Sequence, residues 1–201
     1  MAVKLLVGLG NPGKEYGLSR HNIGFYVLDR FCASRGEKWR PDKKFESELA
    51  TVKLVDSALM LSKPTTFMND SGRAVQKICQ FFRIRPSEVV VVCDDISFEL
   101  GKFKLTERSG SAGHNGLIDI LSRLGPGFVR FRVGIGAKKN KSMDLKDYVL
   151  GNFTGDEQRT IELMLPEILS NLQLLLDKGL EYSMNLINRR KTYEKQEELQ
   201  G

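Results

Sequence analysis

The stretch Val3-Lys4-Leu5-Leu6-Val7-Gly8-Leu9-Gly10-Asn11-Pro12-Gly13 runs from aliphatic residues into a glycine-rich turn. A short apolar run from Val3 to Leu9, stopped by glycine and proline, reads as a buried strand. Gly8, Gly10 and Gly13 have the G-x-G-x-x-G spacing of a dinucleotide-binding turn, and Gly8 to Lys14 has the G-x-x-x-x-G-K spacing of a phosphate loop. Neither reading holds physically. A phosphate loop needs Ser or Thr after its lysine to hold magnesium, whereas Glu15 would put a carboxylate beside the phosphates. A dinucleotide turn opens a helix and needs an acidic residue closing a second strand. Here Pro12 and Gly17 argue against that helix, and Asp29 falls inside the next one. What the turn supplies is a stiff presentation of Asn11, because Pro12 biases its predecessor away from the helical region.

Outward from this strand, periodicity alternates. Asn22–Arg35 reads as a helix with Ile23, Tyr26, Val27, Arg30 and Phe31 near helical spacing and Gly36 as its stop. Glu48–Val55 and Ala58–Ser62 read as strands joined at Asp56-Ser57, and Ser71 as the cap of a helix to Phe82. Val89–Cys93 has the β-branched composition of a central strand that Asp94-Asp95 terminates. Lys102–Leu105 and Arg130–Ile135 follow as strands around a helix over Asn115–Leu124, and Asp156–Lys178 and Leu180–Arg190 as helices. Strands alternating with helices predict an α/β fold: a single-domain sandwich with a twisted mixed β-sheet flanked by helices. One domain is expected over residues 1–190, with a charged tail over 191–201.

The 201 residues suffice for one sizeable core, and 41% hydrophobic with 28% charged residues suits an ordinary soluble protein. No apolar run approaches the ~20 residues that cross a bilayer, and Val3–Leu9 is too short for an export signal, so a cytoplasmic protein without membrane association is expected. Cys32, Cys79 and Cys93 lack metal-binding spacing and read as buried reduced thiols. A net charge of +6 permits a polyanionic partner.

The chain has only two histidines, and asparagine follows each: Arg20-His21-Asn22-Ile23-Gly24 and Gly113-His114-Asn115-Gly116. Asn11 and Asn69 add two further amides in ordered-looking turns. Imidazole is the usual proton carrier near neutrality, and an amide matches the donor and acceptor of a peptide or ester. This set suggests hydrolysis of an amide or ester by activated water, without a metal cluster or cofactor. A single His-Asn dipeptide more often marks a packed helix-start histidine, but the four motifs together favour the chemical reading. Asp94 at a strand end suits an aspartate that orients a histidine and favours its charged form. Lys102 and Lys104 alternate with Phe103, and Arg130 and Arg132 with Phe131, so each pair shares one strand face. Four such cations suit phosphate contacts. Lys138, Lys139, Lys141 and Lys146 add charge in the loop that follows. Ser109 to Gly113 reads as a flexible gate or anion-binding turn, and Phe67-Met68 as an apolar wall.

Taken together, these residues resemble the bacterial-type peptidyl-tRNA hydrolase family. The matching pieces are Val7 to Gly13, Tyr16 with Arg20 to Gly24, Pro64 to Asn69, Asp94, Lys102 to Leu105, Gly113 to Leu117, Arg132 to Gly136 and Tyr148-Val149-Leu150, in family order over nearly the whole chain. The resemblance implies a monomeric, metal-free esterase acting on peptidyl-tRNA. It implies His21 as general base on water, Asp94 holding the imidazole, and Asn11 near the scissile ester. Asn69 and Asn115 would hold the peptide backbone, Tyr16, Met68 and His114 would line the cleft, and Lys102, Lys104 and Arg132 would grip the acceptor-end phosphate. Three positions depart from the family pattern: Ser19 for threonine, Ala112 for the first glycine of a pair, and Ile118 for a basic residue. The competing reading is a non-catalytic RNA-binding relative, against which the intact His21, Asn11, Asn69 and Asp94 count.

Overall fold

The computed structural model describes residues 2–55, 57–138, 140 and 142–197, with side chains described as far as 188. Strand β1 (Leu5–Gly8) lies at the centre, parallel to β4 (Ala58–Pro64) on one side and β5 (Val89–Asp95) on the other. Beyond β5 lies parallel β7 (Val129–Gly134), with β6 (Phe103–Glu107) antiparallel to it at the edge. At the other edge β3 (Ser47–Lys53) runs antiparallel to both β4 and β2 (Arg40–Asp42). The sheet order is therefore β2-β3-β4-β1-β5-β7-β6.

Both faces are covered, so β1 and the first five residues of β5 carry no polar side chain able to ionise at neutral pH and read as an apolar run up to Asp94. Leu5, Val7, Val91 and Cys93 face helices α2 (Ser71–Phe82) and α3 (Asn115–Leu124), packing with Val75, Ile78, Leu117 and Ile120. Their neighbours Leu6, Val90 and Val92 face α1 (Ile23–Ser34) and α5 (Gly155–Lys178), meeting Val27, Leu28, Phe31, Ile168 and Leu172. Each such side chain contributes about 1.5–3 kcal/mol of burial. Two glycines set how closely α1 approaches. A Cβ on Gly24 would lie 2.4 Å from the Val92 carbonyl, and one on Gly8 would lie 2.5 Å from the Gly24 carbonyl. The start of α1, and the turn before it, are thereby pressed against the ends of β1 and β5.

The sandwich matches the sequence expectation, with local differences. The Val89 strand continues through Asp94 and Asp95 rather than ending before them. Asp70, not Ser71, occupies the cap position of α2, and the Ser71 hydroxyl donates instead to the Met68 carbonyl. Two elements are additional: β2, a three-residue edge strand containing Pro41, and α4 (Leu145–Leu150), capped by Asp144. Lys146 thus sits on a helix rather than a loop. The last helix, α6 (Leu180–Glu197), runs through much of the expected tail, whose final residues 198–201 lie outside the described residues, as do Asp56, Lys139 and Lys141. All three cysteines are buried and free, and burial pushes the Cys79 thiol up to about 11.

Candidate active site

The chain leaves β1 toward β4 on one side and returns to β5 on the other, so the strand order reverses between β1 and β5. Crevices at such reversals, outside the carboxyl ends of the strands, are where open α/β sheets bind ligands. A cleft of about 590 Å³ lies there. Asn11, which follows β1, and Asp94, near the end of β5, both line it. Tyr16, His21, Met68, Asn69, His114, Asn115 and Arg132 complete the expected residues on its walls, while Lys102 and Lys104 do not reach it.

Both histidines converge on one carboxylate oxygen. Asp94 Oδ1 lies 2.7 Å from His21 Nδ1 and 3.0 Å from His114 Nε2, with all three side chains buried. Burial alone would push Asp94 up, but the charge and hydrogen bonds of the two histidines outweigh it and hold its carboxyl well below the usual range. The other ring nitrogens differ. His114 Nδ1 accepts the Leu117 N–H at 3.3 Å and caps α3, so this ring carries its proton on Nε2 and donates it to Asp94. His21 Nε2 has no partner among the described residues and borders the cleft. The two rings lie 4.8 Å apart.

These three side chains also offer metal-ligating atoms within 4.8 Å of one another. A cation on His114 Nε2 would move that ring's proton to Nδ1, where it would face the Leu117 N–H. The network fits shared protons better than a cation.

Asn11 is fixed on three sides. Its backbone N–H donates to Asn22 Oδ1 at 2.8 Å, and its carbonyl accepts from Asn22 Nδ2 at 2.9 Å. Its own Oδ1 accepts the Met68 N–H at 2.8 Å. With the oxygen engaged, the Nδ2 donor is the free end of the Asn11 amide. Asn69 and Asn115 are exposed on the cleft walls, and their amides have no hydrogen-bond partner among the described residues.

The cations separate into two kinds. Phe103 and Leu105 enter the core while Lys104 stays half-buried on the other face of β6, directly opposite Arg132, and Lys102, also half-buried, precedes the strand rather than opening it as expected. Arg132 Nε lies 2.8 Å from Asp95 Oδ2, an ion pair lacking the alignment of a linear hydrogen bond. Arg130 corrects the sequence expectation of four available cations. It is fully buried, donates to the Phe128 carbonyl and stacks over the Phe128 ring. Alternation put Arg130 and Arg132 on one face correctly, but this face of β7 is covered at Arg130 and open only near the strand end.

Three contributors escaped the sequence reading: Asn22, Asp95 and Arg20. Arg20 is buried beside His21, donates to Glu157 at 2.7 Å and to the Asn152 carbonyl at 2.8 Å, and stacks over Tyr148. It fastens the His21 turn to the α4 segment, whose Lys146 and Val149 also line the cleft. Asn22 and Arg20 flank His21 in the quoted motif, which was the available signal; Asp95 had only its place beside Asp94.

The chain matches the family model described as peptidyl-tRNA hydrolase over residues 5–196. This chain belongs to the peptidyl-tRNA hydrolase family. A peptidyl-tRNA hydrolase of Chloroflexus aurantiacus is 40% identical over 186 residues, covering 92% of this chain and 98% of that protein. One from Edwardsiella ictaluri is 40% identical over 190 residues, covering 94% and 96%. The crystal structure of the Acinetobacter baumannii peptidyl-tRNA hydrolase superposes with a TM-score of 0.86 at 34% identity, over 92% of this chain and 94% of that one. Against the peptidyl-tRNA hydrolase pattern, the three departures have distinct settings here. Ser19 is buried and bridges to Asn152, Ala112 has a left-handed φ of 49°, and Ile118 is exposed on α3.

Proposed function

We propose that this protein hydrolyses the ester bond between a peptide and the 3′ end of tRNA, with His21 as general base. The observation that carries this reading is the asymmetry of the His21 ring. Nδ1 is held by a buried carboxylate, and Nε2 is left without a partner on the cleft. A water between Nε2 and the ester carbonyl loses its proton to the imidazole as its oxygen attacks the carbonyl carbon. Asp94 stabilises the imidazolium so formed. The free Asn11 Nδ2 offers a preorganised donor to the carbonyl oxygen as negative charge develops there. Collapse of the intermediate returns the proton to the leaving 3′ oxygen and yields a free peptide and tRNA. The amides of Asn69 and Asn115 pair with the peptide backbone, and Tyr16 and Met68 supply the wall. Lys102, Lys104 and Arg132 form a cationic patch beside the cleft for the acceptor-end phosphate.

The test is substrate discrimination. Purified protein should release tRNA rapidly from N-acylated aminoacyl-tRNA and slowly from the unacylated form, because only the former offers a peptide bond to the exposed Asn69 and Asn115 amides, at about 0.5–1.5 kcal/mol net per hydrogen bond. Equal rates would contradict peptide reading, and binding of peptidyl-tRNA without release would favour a non-catalytic RNA-binding protein. Lys102→Ala and Lys104→Ala should raise KM for peptidyl-tRNA and flatten its salt dependence by ~0.7–0.9 per lost contact. They should leave a minimal ester of the terminal nucleoside unaffected. Loss of the minimal substrate as well would place the lysines in the chemistry or the fold.

A further inference from the structure

We infer that His114 is a positioning residue that acts on the catalytic pair through Asp94 rather than on the peptide. The inference rests on His21 being the base; His114 lines the cleft as expected, and the inference replaces only the substrate-binding role first expected for it. Its ground is hydrogen-bond accounting. Nδ1 of His114 accepts the Leu117 N–H, and Nε2–H donates to Asp94 Oδ1, so both ring nitrogens are occupied within the protein. A ring with no free polar atom cannot read a peptide backbone. It can compete with His21 for one carboxylate oxygen, since 2.7 Å and 3.0 Å separate that oxygen from the two rings.

Among the described residues, the hydrogen bonds to the Asp94 carboxylate come only from these two histidines. The other titratable or charged groups facing the pair are Asp95 with its partner Arg132, Lys146 from α4, and Tyr16. Arg20, in the His21 turn, is turned away to Glu157. The donor from His114 therefore dilutes the charge that Asp94 offers to His21. Without it, the carboxylate would bind the His21 imidazolium more strongly, and more of the enzyme would hold the wrong protonation state in mild acid. The second His-Asn motif is thus coupled to the first, and the loop leading to His114 is coupled with it. That loop contains Arg108 and Ala112, both with left-handed φ.

Three variants separate the two bonds of the ring. In His114→Asn the amide can still cap α3 but is too short for Asp94. In His114→Gln the amide nitrogen reaches roughly where Nε2 lies but loses the cap, and His114→Ala loses both. Kcat and KM for peptidyl-tRNA are measured across pH for each, with His21→Ala alongside. In the Asn and Ala variants the acidic limb of kcat should move up by about one pH unit, with KM changed less than about twofold. In the Gln variant the limb should return toward wild type. A stationary limb with a raised KM in the Asn and Ala variants makes His114 a peptide contact and overturns the inference. If His21→Ala abolishes turnover in that same experiment, the base assignment survives; if His21→Ala keeps wild-type turnover, the base assignment fails, and this inference with it.

Discussion

The chain uses the dipeptide His-Asn twice at the cleft, and the two copies are built oppositely. In the first, His21 keeps a free Nε2 on the cleft while Asn22 is buried and spends its whole amide on the backbone of Asn11. In the second, His114 spends both nitrogens inside the protein while Asn115 is exposed with its amide open. One motif offers a ring and hides an amide; the other hides a ring and offers an amide. The residue types alone are identical, so the roles come from what packs around them. Gly24 draws the first motif against β1 and β5, whereas the second hangs from a loop and starts a helix.

The sharpest break of this comparison is at the rings. His21→Ala should lower kcat by ~10² to 10⁴ with an intact fold, as removal of a general base does. His114→Ala should cost far less, and equal losses in single-turnover assays would erase the distinction. Asp94→Asn should lower activity less than His21→Ala. It should move the acidic limb of the pH profile to lower pH, because the charge that favours the imidazolium is gone. A limb that moves to higher pH would contradict that sign.

The asparagines should behave in the reverse order. Asn22→Ala removes a two-bond clamp on buried Asn11, so thermal or denaturant unfolding should show a loss of about 1–3 kcal/mol together with reduced kcat. Asn115→Ala should leave stability within about 0.5 kcal/mol and reduce discrimination between peptidyl- and aminoacyl-tRNA. Comparable destabilisation by both changes would mean that Asn115 is structural too. The smallest effect is expected at Ala112. A non-glycine residue in the left-handed region carries about 1–2 kcal/mol of strain, partly offset by the entropy glycine adds to the unfolded chain. Ala112→Gly should therefore stabilise by about 1 kcal/mol or less, and a clear destabilisation would show that the alanine side chain makes contacts of its own.

How much of this was legible follows the range of the forces involved. The helix over Asn115–Leu124 matches residue for residue, because its apolar spacing and flanking glycine are local signals. β2 was not legible: three residues containing a proline on a sheet edge carry no periodicity. Nor was α4, whose six residues are too few to show one. The candidate site was legible as a list of residue types. Spacing alone did not give its wiring, because His21 and Asp94 are 73 residues apart; the family resemblance implied that pair, whereas the clamp of Asn22 on Asn11 depends on how α1 docks. Arg130 shows the same limit from the other side. Period-two spacing groups residues on a face but cannot say where that face is covered.

Because the chain has two histidines, their ring nitrogens can be observed without ambiguity in protein labelled with ¹⁵N-histidine. At about pH 8, where imidazoles are ordinarily neutral, two-bond nitrogen–proton correlations report the tautomer of each ring, and His114→Asn assigns the pair. The two rings should hold opposite tautomers. His21 should carry its proton on Nδ1, toward Asp94, with a bare Nε2 on the cleft, and His114 should carry its proton on Nε2 with a bare Nδ1. A His21 ring protonated on Nε2 would turn its one lone pair to Asp94 and leave none on the cleft to take a proton from water, and that result would contradict the assignment of His21 as the base.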